Sequence, residues 1–312
     1  MTEKKPLVSV VIITYNSGNY ILETLESVKK QTYKNIELII SDDGSVKDDT
    51  VVKVRQWIAD NKAFFTIAPV LLAVEKNTGT VKNLNRGVKA SHGEWIKSLA
   101  GDDELKPNCI EEFVKFVNAH PNCQFCCCDL ELFSDDGNVS SGDIMWYNYF
   151  FNCVKEPYKK KCRRIIYEYT IPGPGWFYSR KLFDEIGGFD EDYVLTEEWP
   201  FVYKALKSGY DIYPIELKLV KYRISLTSIC RSRENNLGNK ILFDDTYKFY
   251  RNILRWQLIK KGMPLHALHK TITYQIENFK YSRPSKWKLF IYKLYHRLFD
   301  PMYYYEIAKK YF

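Results

Sequence analysis

Apolar and polar positions along this chain alternate between two periods. The stretch LVSVVII (Leu7–Ile13) is a nearly unbroken β-branched run, the pattern of a strand covered on both faces. SGNYILETLESVKKQ follows, with Ile21, Leu25 and Val28 on one helical face and Glu26 and Lys30 four apart on another. NIELIISDDGS reads as a second strand ending in a turn, and residues 49–59 as a helix. FTIAPVLLAVEKN reads as a third strand, VKNLNRGVKASHG as a helix and EWIKSLA as a fourth strand. Strands alternating with helices predict an α/β domain whose central sheet is mostly parallel, wound with right-handed crossovers. In such sheets ligands bind beyond the carboxyl ends of the strands. Three polar clusters fall on that edge: TYNSG after the first strand, SDDGS after the second and GDDE after the fourth.

The pattern beyond Pro107 is less regular. NCIEEFVKFVNAH is helical, and CQFCCCD reads as a buried strand carrying Cys123, Cys126, Cys127 and Cys128. Its single CxxC has neither a second CxxC nor paired histidines, so reduced thiols packed as small hydrophobes fit better than a zinc site. SDDGNVSSGD is a polar loop, and the tyrosine-rich WYNYFFN either lines a binding site or packs. YTIPGPGWFYSRKLFDEIGGFDEDY is rich in Gly and Pro and predicts a structured loop flanking a short helix. TEEWPFVYKALKSGY predicts a helix with Phe201, Ala205 and Leu206 inward, Pro200 in an early turn and Gly209 as its cap. After Arg223 strand signals fade into two or three helices.

Composition adds a boundary. The 312 residues are 46% hydrophobic and 27% charged, as in a globular protein, and the net charge of +8 is unevenly spread. Residues 236–312 hold 15 Lys/Arg against 5 Asp/Glu, while the preceding residues hold 31 against 33. The tail also carries 18 of the 49 aromatic residues. In WKLFIYKLYHRLF, Leu289, Ile291, Leu294, Leu298 and Phe299 fall near one side, with Lys288, Lys293 and Arg297 elsewhere. Residues 1–235 therefore read as one domain, with a first half (1–106) that carries the polar clusters of the ligand edge and a second half (107–235). Residues 236–312 read as a basic, aromatic-rich helical extension. That extension suits an anionic membrane surface, or packing on the domain or on a second subunit in a homodimer. The acidic neighbouring domain argues against nucleic acid. The amino-terminal apolar run is too short for a secretory leader and no stretch reaches a membrane span of ~20 apolar residues. The expected location is cytoplasmic, at most peripheral at the inner face of the membrane.

The acidic clusters carry the chemistry. Neither GxGxxG nor GxxxxGK[ST] occurs, which argues against dinucleotide binding and P-loop phosphoryl transfer. Asp102 and Asp103 are adjacent like charges, held either as a solvated turn or because a cation sits between them and a diphosphate. Asp42 and Asp43 either end a strand in an Asp-Gly turn or face a ligand. Thr14 and Asn16 are able to cap a helix beginning near Ser17. Trp176, beside PGPG, offers a ring to a sugar face, and Trp199 is a second acceptor-side candidate.

The ordered motifs VSVVIITYNSGNYILETLESVKKQTYKNIELIISDDGS, NTG…NLNRGVKASHGEWIKSLAGDDELKPN and GGFDEDYVLTEEWPFVYKALKSG resemble the family 2 glycosyltransferases of bacterial surface-polysaccharide type. The likeness covers roughly residues 6–225 and implies the GT-A fold. It implies a nucleoside-binding edge at Thr14, Tyr15 and Asn16, Asp43 on the base or ribose, and Asn85 near the donor. Asp102 and Asp103 occupy the end of the family's Asp-x-Asp, with Ala100 in place of its first Asp and Asp103 left to hold Mn²⁺ or Mg²⁺. Glu198 stands at the catalytic base, with Glu197 the second choice. Ser225 stands where some members carry a histidine. The implied work is inverting transfer from a nucleotide sugar, a uridine diphosphate sugar first, to a hydroxyl of a growing or lipid-linked glycan such as capsule or O-antigen. The rival from another class is a catalytically silent nucleotide-sugar-binding scaffold, which the missing first Asp favours.

Overall fold

Leu7–Ile13 becomes the core of β1 (Val8–Thr14), in which six of seven residues are buried. The protein is described by a computed structural model over residues 5–168, 171–225 and 239–278, and at 286, 287, 290, 291, 294 and 297. The next elements are α1 (Ile21–Lys29), β2 (Ile36–Asp42), α2 (Thr50–Asn61), β3 (Val70–Ala73), α3 (Thr80–Lys89) and β4 (Trp95–Ala100). The helix expected from Ser17 starts later, because the Ser17 carbonyl accepts from Tyr20 and Ile21 in a preceding turn. The third strand is only four residues long and half exposed. Pro69 directly before it has no N–H to add to a ladder, which suits an edge position.

The second half contributes β5 (Glu104–Leu105), α4 (Cys109–Ala119), β6 (Phe125–Phe133), α5 (Ser141–Val154) and α6 (Tyr158–Arg164). These are followed by β7 (Trp176–Ser179), α7 (Arg180–Glu185), α8 (Glu198–Lys207) and β8 (Tyr213–Arg223). Gly209, at φ +92°, follows the last turn of α8. Its N–H donates to the Leu206 carbonyl and that of Tyr210 to Ala205, a Schellman closure. One eight-stranded sheet runs in the order β3-β2-β1-β4-β7-β6-β8-β5. The β3-β2-β1-β4 block is parallel, as alternation predicts. β7 runs antiparallel to both β4 and β6, so the sheet is mixed. Because β1, β2 and β4 are in register, Thr14, Asp42 and Ala100 end side by side.

Val10, Ile12, Leu38, Leu99, Phe113 and Phe177 anchor the core against α1 and α4. Phe177 lies between the rings of Trp95 and Phe113, at 5.1 and 4.7 Å. Cys109, Cys123, Cys126, Cys127, Cys128 and Cys153 are buried thiols outside any disulfide, and Cys162 is a half-buried one.

The chain divides into two compact units, Met1–Leu226 and Thr227–Phe312. The expected division after residue 235 lies outside the described residues. In the second unit α9 (Lys240–Phe249) begins at Asn239, whose Oδ1 accepts from the N–H groups of Ile241 and Leu242. A π-helical turn (Tyr250–Leu254) leads into α10 (Arg255–Lys260), and α11 (Pro264–Asn278) follows. Tyr274 packs its ring 5.1 Å from those of Tyr247 and Tyr250, and the Tyr250 hydroxyl donates to the Ala267 carbonyl. Leu289, Lys288, Lys293, Leu298 and Phe299 of the amphipathic stretch lie outside the described residues; Trp287 and Phe290 are exposed and stack at 5.6 Å. Among the described residues no helix is long and apolar enough to cross a membrane.

Candidate active site

The carboxyl ends of β1 and β2 build one wall. The Asp43 N–H donates to the Thr14 carbonyl at 2.9 Å. Asn16 adopts φ +52°, a left-handed conformation that Asn tolerates, and its side chain does not cap α1. Its N–H donates to Ser45 Oγ and its Oδ1 accepts from Lys47, so the two loops are stitched together. Asp42 accepts from the N–H groups of Gly44 and Ser45 and from Ser45 Oγ, holding its own turn. Asp43, 2% exposed, accepts from Thr78 Oγ1, from the N–H groups of Thr78 and Gly79, and from Arg86 Nη2 at 3.0 Å. Both Asp43 oxygens are thus engaged by the α3 entry loop and by Arg86. Tyr15 stands 39% exposed at the rim.

Gly101 brings β4 against this wall. A Cβ there would lie 3.1–3.2 Å from Thr14 and Ser17 Oγ, so a small residue is needed for the close approach. Asp102 and Asp103 follow. Asp103 is 1% exposed; its Oδ1 accepts from the Arg223 N–H at 3.0 Å, and its Oδ2 has no hydrogen-bond partner. Burial, then the neighbouring Asp102 charge, raises the Asp103 carboxyl well above its ordinary range. Burial raises Asp102 as well. Arg223 donates through Nε to the Asp102 carbonyl, ends its guanidinium on Asp135 and Glu23, and lies over the rings of Tyr20 and Phe133.

A buried carboxylate oxygen without a partner is the geometry a cation completes. Among the described residues no three His, Cys, Asp or Glu gather into a cage. A hard ion here would take Asp103, with Asp102 beside it, and draw its other oxygens from water and a diphosphate. The residues fit that arrangement. Ser225 is half-buried.

Glu197 and Glu198 stand at the start of α8. The Glu198 carboxylate rests on the turn Gly173–Gly175: a Cβ on Gly173 would fall 1.8 Å from Glu198 Oε1. Three expected contacts are corrected. Trp176 is 2% exposed and stacked on Phe201, so its ring belongs to the core. Trp199 is 7% exposed and donates Nε1–H to the Ile165 carbonyl, which removes it from a sugar-facing wall. Asn85, 2% exposed, donates to the Phe189 carbonyl and Glu191 Oε1 and accepts from the Phe189 N–H. With both amide hydrogens spent there, it latches the Gly187-Gly188 loop and has no donor left for a ligand.

Lys97 and Arg223 were not among the expected site residues. Lys97 had a signal, being the only charge within WIKSLA, whereas Arg223 meets Asp103 across 120 positions.

Residues 9–187 match the family described as Glycosyl transferase family 2. An uncharacterized glycosyltransferase of Rickettsia typhi is 30% identical over 224 residues, covering 70% of this chain and 64% of that protein. Another, of Rickettsia conorii, is 28% identical over 284 residues, covering 89% of this chain and 44% of that protein. The chain therefore spans less than two thirds of either relative. S. aureus TarS 1-349, solved in complex with UDP-GlcNAc, aligns with a TM-score of 0.56 at 19% identity, covering 88% of this chain and 73% of that one. The mannosyltransferase PcManGT from Pyrobaculum calidifontis, solved with GDP-Man and Mn²⁺, aligns with a TM-score of 0.57 at 16% identity, covering 99% and 85%. A mixed sheet with its polar clusters at the carboxyl ends of β1, β2 and β4, and a family match over more than half the residues, lead to one assignment: this chain has the GT-A fold and belongs to glycosyltransferase family 2.

Proposed function

We propose that the protein transfers a sugar from a nucleotide diphosphate sugar, a uridine diphosphate sugar first, to a glycan hydroxyl with inversion at the anomeric carbon. One observation carries the reading: the buried, partnerless Asp103 Oδ2 beside Asp102, at the strand ends of a family 2 chain. TarS solved with UDP and with UDP-GlcNAc supports a uridine donor, and PcManGT solved with GDP-Man and Mn²⁺ supports a divalent ion.

Thr14, Tyr15 and Asn16 would border the nucleoside, with Asp43 shaping the pocket through Thr78, Gly79 and Arg86. Asp103, with Asp102, would hold Mn²⁺ or Mg²⁺, which when bound neutralises charge on the leaving diphosphate. Glu198 would take the proton of the acceptor hydroxyl as that oxygen bonds to the anomeric carbon. The bond from that carbon to the diphosphate oxygen breaks, and the diphosphate leaves with the electron pair. The acceptor is a growing or lipid-linked surface glycan, and the basic, aromatic residues 236–312 would bring the enzyme to an anionic membrane surface.

Calorimetric titration of uridine diphosphate, with and without Mn²⁺, into wild type and Asp103→Ala tests the site. Binding that requires both the ion and Asp103 is expected. Metal-independent binding that survives the substitution overturns this role for the carboxylates. Glu198→Gln should lose on the order of 100-fold or more in turnover, and Glu197→Gln much less. The reverse ranking would move the base to Glu197.

A further inference from the structure

A lysine with no exposure is an expensive occupant of a β-strand, since burial opposes its charge and an apolar side chain would fill the space at lower cost. Lys97 of β4 is 0% exposed, and burial lowers the pKa of its ammonium. Its Nζ donates to the Ser98 carbonyl at 2.8 Å and to the Pro174 carbonyl at 2.6 Å. On the neighbouring region of the sheet, Cys127 Sγ of β6 lies 3.6 Å from the Pro172 carbonyl, within reach of a weak S–H donation. The carbonyls on the two sides of Gly173 are therefore each met by a side chain, from two different strands, Lys97 donating to Pro174 and Cys127 Sγ lying equally near the Pro172 and Cys128 carbonyls.

The turn has no slack. A Cβ on Gly175 would fall 2.5 Å from the Cys128 carbonyl oxygen and 2.9 Å from Cys127 Sγ, so the turn lies directly on β6. Gly173, on its other side, abuts the Glu198 carboxylate. From this geometry we infer that Lys97, assisted by Cys127, is a positioning residue for the base, fixing the Gly173 turn on which the Glu198 carboxylate rests. The inference rests on the reading of Glu198 given above. It accounts for the charge inside WIKSLA: the long side chain carries its donor from that strand to the Pro174 carbonyl.

The test compares the 312-residue wild type with Lys97→Met, which keeps the stem and removes the donor, and Lys97→Gln, which keeps donor hydrogens. Cys127→Ala and Cys127→Ser form a second, milder pair that reports if Lys97→Met fails to fold. Three quantities are read: Mn²⁺-dependent affinity for uridine diphosphate, kcat and KM for nucleotide release from uridine diphosphate sugars, and amide exchange of the peptide containing Gly173 and Gly175. Lys97→Met should keep nucleotide affinity within about threefold, lose on the order of 10- to 100-fold in kcat with KM little changed, and exchange faster in that peptide. Lys97→Gln and Cys127→Ser should recover part of the loss. Unchanged kcat, or a loss carried by nucleotide affinity, overturns the inference. If wild type itself neither binds nor turns over, the functional reading fails. Exchange then decides separately whether Lys97 holds the turn, and an unaltered rate refutes that too.

Discussion

At Asp103, burial and charge oppose each other within one side chain. Its carboxyl binds a proton more readily in the folded protein than in the unfolded one, because burial and the adjacent Asp102 disfavour the anion. A group raised in this way contributes stability fully below its unfolded pKa, and that stability is lost as pH rises through the folded value. The metal-free protein is therefore expected to melt higher as Asp103→Asn than as wild type near pH 8, with the difference shrinking as the pH approaches the ordinary carboxylate range. The proposed metal-dependent nucleotide affinity has the opposite requirement, since an ion at this site would need the carboxylate. It should fall with decreasing pH, starting above the ordinary carboxylate range, in titrations between about pH 8 and pH 5. Gly173 gives a second test of one position. The atoms nearest to the added methyl in Gly173→Ala all belong to the flexible Glu198 side chain, which can move aside, so the melting temperature should shift by no more than about 2 °C. Turnover should nevertheless drop on the order of 10- to 100-fold, because the displaced group is the carboxylate proposed as the base.

The elements divide into those the sequence announces and those it hides. β1 through β4, with the helices between them, follow from β-branched runs and 3.6-residue spacing, and the motifs at their ends place Thr14, Asp43, Asp102 and Asp103 on one edge. β7 escapes the same reading: its four residues, WFYS, are all buried, so no alternation marks them, and they emerge from a Gly/Pro-rich segment. β5, with two residues, is too short to leave a pattern. The contacts of Lys97 with Pro174, Asn85 with Phe189 and Arg223 with Asp102 span 77, 104 and 121 positions, and local periodicity does not encode such pairings. Asn85 also shows how a motif position and a chemical role separate. Its amide ties α3 to the loop after α7, so Asn85→Ala should cost about 2–3 kcal/mol by leaving both polar groups of Phe189 buried without their partner. Chemical denaturation followed by tryptophan fluorescence would measure it.

On the scale of the whole chain, charge is the organising fact. The amino-terminal residues are nearly balanced, while 236–312 concentrate the positive charge and more than a third of the aromatic rings. If that segment meets a membrane surface, the 312-residue protein should float with vesicles containing phosphatidylglycerol and be released by about 0.5 M salt. Absence of binding would leave those helices to packing or to self-association. The thiols have a different consequence. Six of the cysteines are sealed inside the first unit, with Cys162 the partial exception among those described. Each is out of reach of a bulky labelling reagent until the fold around it opens. The native protein therefore carries its own clock: the rate at which these sulfurs become modifiable reports how often the molecule opens, without a probe being introduced.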